Sequence, residues 1–348
     1  MDAVEVLTLG ELGESAVLAR IFPRLPEAAA ALIGPGDDAA VIAAPDGRFV
    51  VTTDLMVHGP DFRLAWSLPH DLGWKAAASN LADVAAMGAV PTALVVAIAA
   101  PSDSPVRLLE GIADGFRDAC DALMPGCGVV GGDLSVSDTL TIAVTAFGDL
   151  QGRRPVLRSG AKVGDIVAVS GVLGAAAAGL RLLFAEAVDA EGVPDAALAA
   201  TLRERTIAQL APTPPLADGP LAALAGANSM LDLSDGLAID ASRIARASGV
   251  AIDFERSTLG EDPELALGGG EDHSLLATFP PGTILPGGFH RVGTVIERFG
   301  DGDPSSGGDW DSGILLDGTP HPATGWDPFT GWVSRAGSGF EHGSGSAG

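Results

Sequence analysis

Tyrosine is absent from this 348-residue chain, and lysine and cysteine occur only twice each. Each shortage excludes something. Cys120 and Cys127, separated by a stretch holding Pro125 and Gly126, cannot supply a disulfide framework and read as inert thiols. No cluster of histidine or cysteine could hold zinc. Basic residues number 20 against 45 acidic ones, and the net charge of −25 argues against nucleic acid or an anionic membrane as partner. The longest apolar run, Ala93 to Pro101, is too short to span a bilayer. The amino terminus has no basic region followed by an apolar core, so no secretory signal is expected and a cytoplasmic location is. There is no Gly-Lys pair of a phosphate loop, no dinucleotide fingerprint in its strand–turn–helix setting, and no Gly-x-Ser-x-Gly elbow.

What is present is an apolar, foldable chain, 47% hydrophobic and long enough for two domains with a sizeable core. Periodicity predicts helices over 12–22, 71–87, 106–123, 174–184, 216–225 and 237–247, with a partly helical stretch over 188–204 that Pro212, Pro214 and Pro215 close. Asp71 is expected to cap the second helix and Gly88 to stop it. Strands are expected over 39–43, 48–53, 90–99, 128–130, 139–147, 165–170, 229–233, 251–254, 275–279 and 291–296. Gly131-Gly132-Asp133 reads as a turn between two of them. The polar segment 151–164 reads as a junction, and the Gly- and Ser-rich stretch after Arg335 reads as disordered. The expected domains are therefore 1–150 and 151–334, followed by a tail over 335–348. The class is α/β or α+β.

Five short acidic motifs carry the chemistry: Gly36-Asp37-Asp38-Ala39, Thr52-Thr53-Asp54, Asn80-Leu81-Ala82-Asp83, Gly131-Gly132-Asp133 and Asp232-Leu233-Ser234-Asp235-Gly236. A carboxylate just past a buried element is costly unless it faces a cleft or a cation. Oxygen donors in this number suit Mg²⁺ holding a polyphosphate, which also reconciles an acidic chain with an anionic substrate. Asp83 sits on a helix apolar on nearly every side, so it cannot avoid burial; it is a cation or substrate ligand, or else caps a helix or pairs with arginine. Asn80, one turn earlier, could support it. Asp38 lies in an ordinary turn setting, and Thr52, Thr53 and Asp54 at a strand end could serve as a helix cap. Asp232, Ser234 and Asp235 precede a helix N-terminus, where a phosphate or a capping box fits equally. Gly269-Gly270-Glu271-Asp272-His273 is a sixth motif of this kind, and His273 reads either as a site residue or as a loop histidine. Both lysines, Lys75 and Lys162, fall inside or beside these segments; a compositional bias that spared them by chance is the alternative.

In this order and spacing the motifs resemble the thiamine-monophosphate kinase family. The resemblance runs to about Phe329 and includes 36–42, 52–55, Lys75 through Ala89, 131–133, Leu-Arg-Ser-Gly-Ala-Lys-Val-Gly-Asp over 157–165, 232–237, 269–273 and Gly-Trp-Asp-Pro-Phe over 325–329. It implies a two-domain aminoimidazole ribonucleotide synthetase-like fold, with an N-terminal sheet domain that dimerises and a C-terminal α/β domain covering the site. It implies transfer of the γ-phosphoryl group of ATP to thiamine phosphate, with several Mg²⁺ ions as cofactor and a homodimer as the assembly. The metal ligands so implied are Asp38, Thr52, Thr53, Asp54, Asp83, Asp133, Asp232 and Asp235, with Asp38, Asp83 and Asp133 catalytic through the metal. The nucleotide contacts are Gly132, Asp133, Arg158 and Ser234. Glu271 and Trp326 would touch thiamine phosphate, and the Trp326 ring could stack on its thiazolium or pyrimidine. Asp61 stands where the family often has a histidine that touches substrate, and His273 where it often has tyrosine. A phosphate acceptor is already an oxyanion near neutral pH, so no general base is required and catalysis is positioning plus charge neutralisation. Other enzymes of the same fold remain the nearest alternative. Selenophosphate synthetase would want a reactive cysteine near its N-terminal Gly-rich loop, and a hydrogenase maturation factor would want one at its C-terminus. A non-catalytic Ca²⁺-binding module is the alternative from another class.

Overall fold

Glycine sets how the amino-terminal half is built. A computed structural model describes residues 7–35, 39–298 and 312–326. A short helix α1 (Leu9–Leu12), not expected, ends at Gly13, at φ 76°, and the expected helix over 12–22 begins after it as α2 (Glu14–Ile21). Strands β1 (Ala31–Ile33) and β2 (Val41–Ile42) pair antiparallel. Then come β3 (Val50–Val57), α3 (Pro69–Ala86), β4 (Val90–Ala100), α4 (Val106–Leu123), β5 (Gly128–Val136) and β6 (Thr141–Asp149).

Helix α3 is buried on nearly every side, as its apolar sequence requires. Its first turn differs from the expectation. Leu68 is the N-cap, and Asp71 sits three residues in, accepting the Leu68 N–H at 2.9 Å and pairing with Arg203 at 2.6 Å. Gly88, at φ 74°, follows the helix as expected. Helices α3 and α4 cross backbone to backbone. A Cβ on Gly73 would strike the Ile112 carbonyl, and one on Gly115 would strike that of His70. Leu72, Leu81, Leu94, Leu109, Phe116 and Ile142 fill the core between these helices and the sheet.

That sheet runs β3-β6-β4-β5, with β4 and β5 parallel and the other pairs antiparallel. Strand β5 passes straight through Gly131-Gly132-Asp133, where a turn was expected. Gly132 lies so close to β4 that a Cβ there would strike the Val96 carbonyl, beside a register shift at Leu94/Val95. The close approach Gly132 permits is therefore to its own sheet. One face of the sheet packs the helices. The other is open, with Val51 60% and Leu55 57% exposed, while Met56 on the helix-packed face is buried.

The second half holds β7 (Ile166–Ser170), α5 (Ala175–Glu186), α6 (Ala196–Leu210), α7 (Asp218–Leu224), β8 (Ser229–Leu233), α8 (Leu237–Ser248), β9 (Val250–Phe254), α9 (Pro263–Gly268), β10 (Ser274–Phe279), β11 (His290–Glu297), β12 (Ile314–Leu316) and β13 (Thr319–Pro320). Among the described residues its strands form one mixed sheet in the order β13-β12-β9-β11-β7-β10-β8. Helix α9 and strands β1, β12 and β13 were not expected. The expected tail over 335–348 lies outside the described residues. Helix α3 is the bolt between halves. Trp74 Nε1 donates to the Pro212 carbonyl at 2.7 Å, Lys75 Nζ donates to that of Gln209 at 3.1 Å, and a Cβ on Gly219 would strike that of Ala85.

The glycine crossing yields a test. Gly73→Ala and Gly115→Ala should each destabilise the protein by about 2–3 kcal/mol in chemical denaturation, because backbone cannot yield to the added methyl. Gly34→Ala, which meets nothing within contact range, should be near neutral. Equal effects at all three positions would refute this packing.

Candidate active site

Three elements bring carboxylates into one another's field, and two of those carboxylates line one cleft. Strand β3 alternates, so Thr52 and Asp54 face α3 while Thr53 faces the open side. The Thr52 hydroxyl donates to Asp83 Oδ2 at 2.7 Å. Asn80 clamps strand to helix: its Oδ1 accepts the Asp54 N–H at 3.1 Å, and its Nδ2 donates to the Ala76 carbonyl at 2.9 Å. Strand β8 carries Asp232 as its penultimate residue, and that carboxyl is within hydrogen-bonding reach of Asp83. Burial, then the charges of Asp232 and Asp54, push Asp83 up to about 7, against the Thr52 hydrogen bond. Burial also raises Asp54; Asp232 and Asp235 add to the rise and His273 opposes it.

A second turn joins this cluster from β10. The Glu271 N–H donates to the Ser234 carbonyl at 2.8 Å and the His273 N–H to that of Leu233 at 3.0 Å. Both residues hold positive φ, 67° and 52°, which for side-chain-bearing residues is uncommon and marks an over-determined turn. His273 Nδ1 lies 3.3 Å from Asp232 Oδ2. Burial pushes the imidazole down, but the Asp232 contact and the charges of Asp232 and Glu271 outweigh it and the net direction is up. Glu271 pairs with Lys75 at 3.0 Å and accepts from the Gln209 amide. Burial alone would raise Glu271; Lys75 and Gln209 outweigh it and hold the carboxyl below its ordinary value. Asp61 faces the same group. Burial raises its carboxyl, the Val57 N–H bonded at 2.7 Å opposes, and the charges of Glu271 and Lys75 act in opposite directions. Asp272 points elsewhere and caps α5, accepting the Gly174 and Ala176 N–H groups at 2.6 and 2.7 Å.

The cleft beside the cluster has a volume of about 1030 Å³ and is lined by Thr52, Asp83 and Asp232, by Phe49, Leu157 and Met230, and by Arg158. With Arg48 also on its lining, it offers acidic groups, an apolar wall and two guanidinium groups to one ligand. The predicted Asp38 lies outside the described residues. Thr53 turns away from the cluster and donates to the Val144 carbonyl at 2.9 Å. Gly132 and Asp133 lie on edge strand β5. Asp133 pairs with Ala97 and shares the open face with Leu55, so within one protomer it is not brought to Asp83. Ser234 lies in the turn that binds Glu271. Trp326 is half-buried, its N–H donating to the Asp235 carbonyl at 2.9 Å, so its segment docks beside the cluster. Asp235 itself is paired with Arg243 at 2.5 Å. Sequence reasoning missed Arg243, the buried Asp240 and Gln209. Only the spacing of Asp240 and Arg243 on one helix face was visible in advance.

A family model described as AIR synthase related protein, N-terminal domain, matches residues 36–150. The thiamine-monophosphate kinase of Mycobacterium tuberculosis is 41% identical, over 95% of this chain and 94% of that protein. Among solved structures, thiamine-monophosphate kinase from Stenotrophomonas maltophilia K279a aligns at 30% identity with a TM-score of 0.68, covering 88% of this chain and 96% of that one. AaThiL complexed with AMPPCP and TMP aligns at 31% identity with a TM-score of 0.65, covering 92% and 99%.

The cluster predicts how stability follows pH when divalent cations are withheld. An unfolded aspartate titrates near about 3.9, whereas Asp83 and Asp240 in the fold are both raised to about 7. Between those values the native state holds more protons than the unfolded one. The contribution is fully present below about pH 4 and is lost as pH rises through about 7. The thermal midpoint in a chelating buffer should therefore fall from about pH 5 to about pH 7 and level off above, and Asp83→Asn should flatten that fall in part. A midpoint that rises over this range, or an unchanged slope in the variant, would contradict the assignment.

Proposed function

The chain belongs to the thiamine-monophosphate kinase family, and from that premise we infer that its cleft is where ATP gives its γ-phosphoryl group to thiamine phosphate, yielding thiamine diphosphate and ADP. The observation that carries the placement is that Asp83 and Asp232 share one cleft with Asp54 in their field, and Asp83 is raised to about 7. Two carboxyls held in contact away from bulk water require a proton or a cation between them.

The donor set fits Mg²⁺: Thr52, Asp54, Asp83, Asp232 and Asp235 offer hard oxygen atoms only. Among the described residues no three His, Cys, Asp or Glu side chains converge tightly enough to hold an ion unaided. That suits cations which share their coordination with phosphate oxygens. Bound there, Mg²⁺ would cancel the repulsion between two anionic reactants.

The chain's own residues do the rest. Thr52 and Asn80 fix Asp83 and β3 in register. Arg158 and the apolar wall formed by Phe49, Leu157 and Met230 receive the nucleotide. Ser234, before α8, lies where a helix N-terminus favours phosphate. Lys75 and Gln209 hold Glu271 ionised and oriented toward the acceptor side, with Asp61 and Trp326 beside it. No side chain needs to remove a proton, because the acceptor phosphate is already ionised.

The same reading assigns the residues to an amino-terminal unit over 1–150 and a carboxy-terminal unit over 151–334, in a cytoplasmic homodimer. The open face of the β3-β6-β4-β5 sheet is the surface for the second copy. It leaves Val51 and Leu55 in water, which a stacked sheet would relieve. Asp133 lies on that face, so its role as a metal contact depends on the partner sheet, whereas Gly132 shares the helix-packed face with Asp54.

Two measurements test this. ADP release should depend on thiamine phosphate and not on thiamine, and Asp83→Asn should lower kcat on the order of a hundredfold with the fold retained. Equal turnover of free thiamine, or a fully active variant, would refute the acceptor or the site. By sedimentation the protein should have the mass of two chains and Leu55→Arg that of one; a monomeric wild type would remove the dimer.

A further inference from the structure

The acidic cluster already contains a cation of its own. Asp54, Asp83, Asp232, Asp235 and Asp240 act on one another's charge around the 232–240 turn. Arg243 lies one helical turn beyond Asp240 on α8 and touches two of them at once. Its Nη2 is 2.5 Å from Asp235 Oδ2, and its Nη1 contacts Asp240 Oδ1. Asp240 is fully buried, and its other oxygen accepts the Asp235 and Gly236 N–H groups at 3.0 and 3.1 Å. Asp235 keeps 24% of its side chain exposed, so the guanidinium covers a carboxylate that solvent ions can still reach.

We propose that Arg243 is a built-in counter-cation that occupies Asp235 until divalent cation and nucleotide arrive together, and thereby sets the threshold for cation binding. The inference rests on reading Asp232 and Asp235 as cation ligands. The competing role is a brace that pre-forms the ligand turn. Geometry favours the counter-cation, because the turn is already braced without Arg243: Asp240 holds the Asp235 and Gly236 N–H groups directly. What Arg243 adds is a charge on the oxygen a cation would take. Its second contact, to Asp240, lets it surrender Asp235 without leaving the turn. A divalent ion at Asp235 must therefore displace one guanidinium contact and stand beside the remaining positive charge.

The two roles predict opposite signs. Binding of Mn²⁺ to the full chain, followed through the electron paramagnetic resonance signal of free Mn²⁺ without nucleotide, should become on the order of tenfold tighter in Arg243→Gln. Arg243→Lys, which keeps the charge, should bind as weakly as wild type. With AMPPCP present, the gap between wild type and Arg243→Gln should narrow. Unchanged or weaker Mn²⁺ binding by Arg243→Gln overturns the proposal. Wild type labelled with ¹⁵N-arginine gives a measurement independent of that variant's folding. The guanidinium resonance absent from Arg243→Lys should be protected in cation-free protein and lose protection on adding Mg²⁺ with AMPPCP; persistence overturns the proposal. If neither wild type nor Arg243→Gln binds Mn²⁺ with AMPPCP present, or Asp83→Asn binds it equally, the cation site itself fails, an outcome distinct from failure of the Arg243 role.

Discussion

Asp83 on α3 and Asp232, next to last in β8, reach each other across the two halves of the chain, largely buried. Two like charges in that position oppose folding whenever both are ionised, and the rest of the architecture can be understood as what tolerates the contact. Helix α3 must be held from every side to keep Asp83 there. Gly73 and Gly115 let α4 approach to backbone contact on one flank. Asn80 ties β3 on a second, and Trp74, Lys75 and Asp71 tie the 203–212 region on a third. Apolar cores on either side, around Leu81 and Phe116 and around Ile252 and Phe254, provide the surplus that such a site draws on. A ligand that neutralises the pair binds the folded state alone, so binding and stability are coupled at this contact.

The electrostatics are graded along the site. Around the 1030 Å³ cleft Asp83 and Asp232 share the lining with Arg48 and Arg158. Toward α6 the charge is balanced: Lys75 answers Glu271, and the Gln209 amide donates to the same carboxylate. His273 stands between the two regions, in contact with Asp232 and within the field of Glu271. Gln209 leaves its buried Oε1 without a hydrogen bond. An unpaired buried acceptor costs about 1–3 kcal/mol. The amide is thus held where it serves Glu271, not where it best satisfies itself.

How much of this was legible in the chain depended on how local each determinant was. Helix α4 and strand β8 agree with the expected spans residue for residue, because periodicity and flanking residues define them without tertiary help. The Gly131-Gly132-Asp133 segment misled, since a turn and a close approach between strands both demand glycine. Only the pairing of β5 with β4 distinguishes them. Thr53 misled for another reason. It lies beside two site residues in sequence, but strand alternation sends it to the opposite face. Asp71 was visible as a capping residue but not as the N3 member of the turn, because the choice of Leu68 as N-cap follows Pro69 at the first helical position. Asp240 and Arg243 resembled an ordinary surface pair on a helix. Their importance lies in what the turn before α8 brings to them.

The overall charge of −25 then stops being a paradox for a protein whose ligands are phosphates. A basic site would bind nucleotide with or without metal and would bind other polyanions as readily. On the proposed function, an acidic site repels phosphate until cations intervene, so nucleotide and cation enter as one neutralised unit. Specificity for the metal complex follows from the repulsion itself, a discrimination made by what the site rejects. The same repulsion explains why no base was needed: the site must bring two anions together, and the difficulty it removes is electrostatic. In this arrangement every carboxylate brought to the cleft destabilises the empty fold while strengthening the demand for its ligand. The raised Asp83 and Asp54 are the visible trace of that exchange.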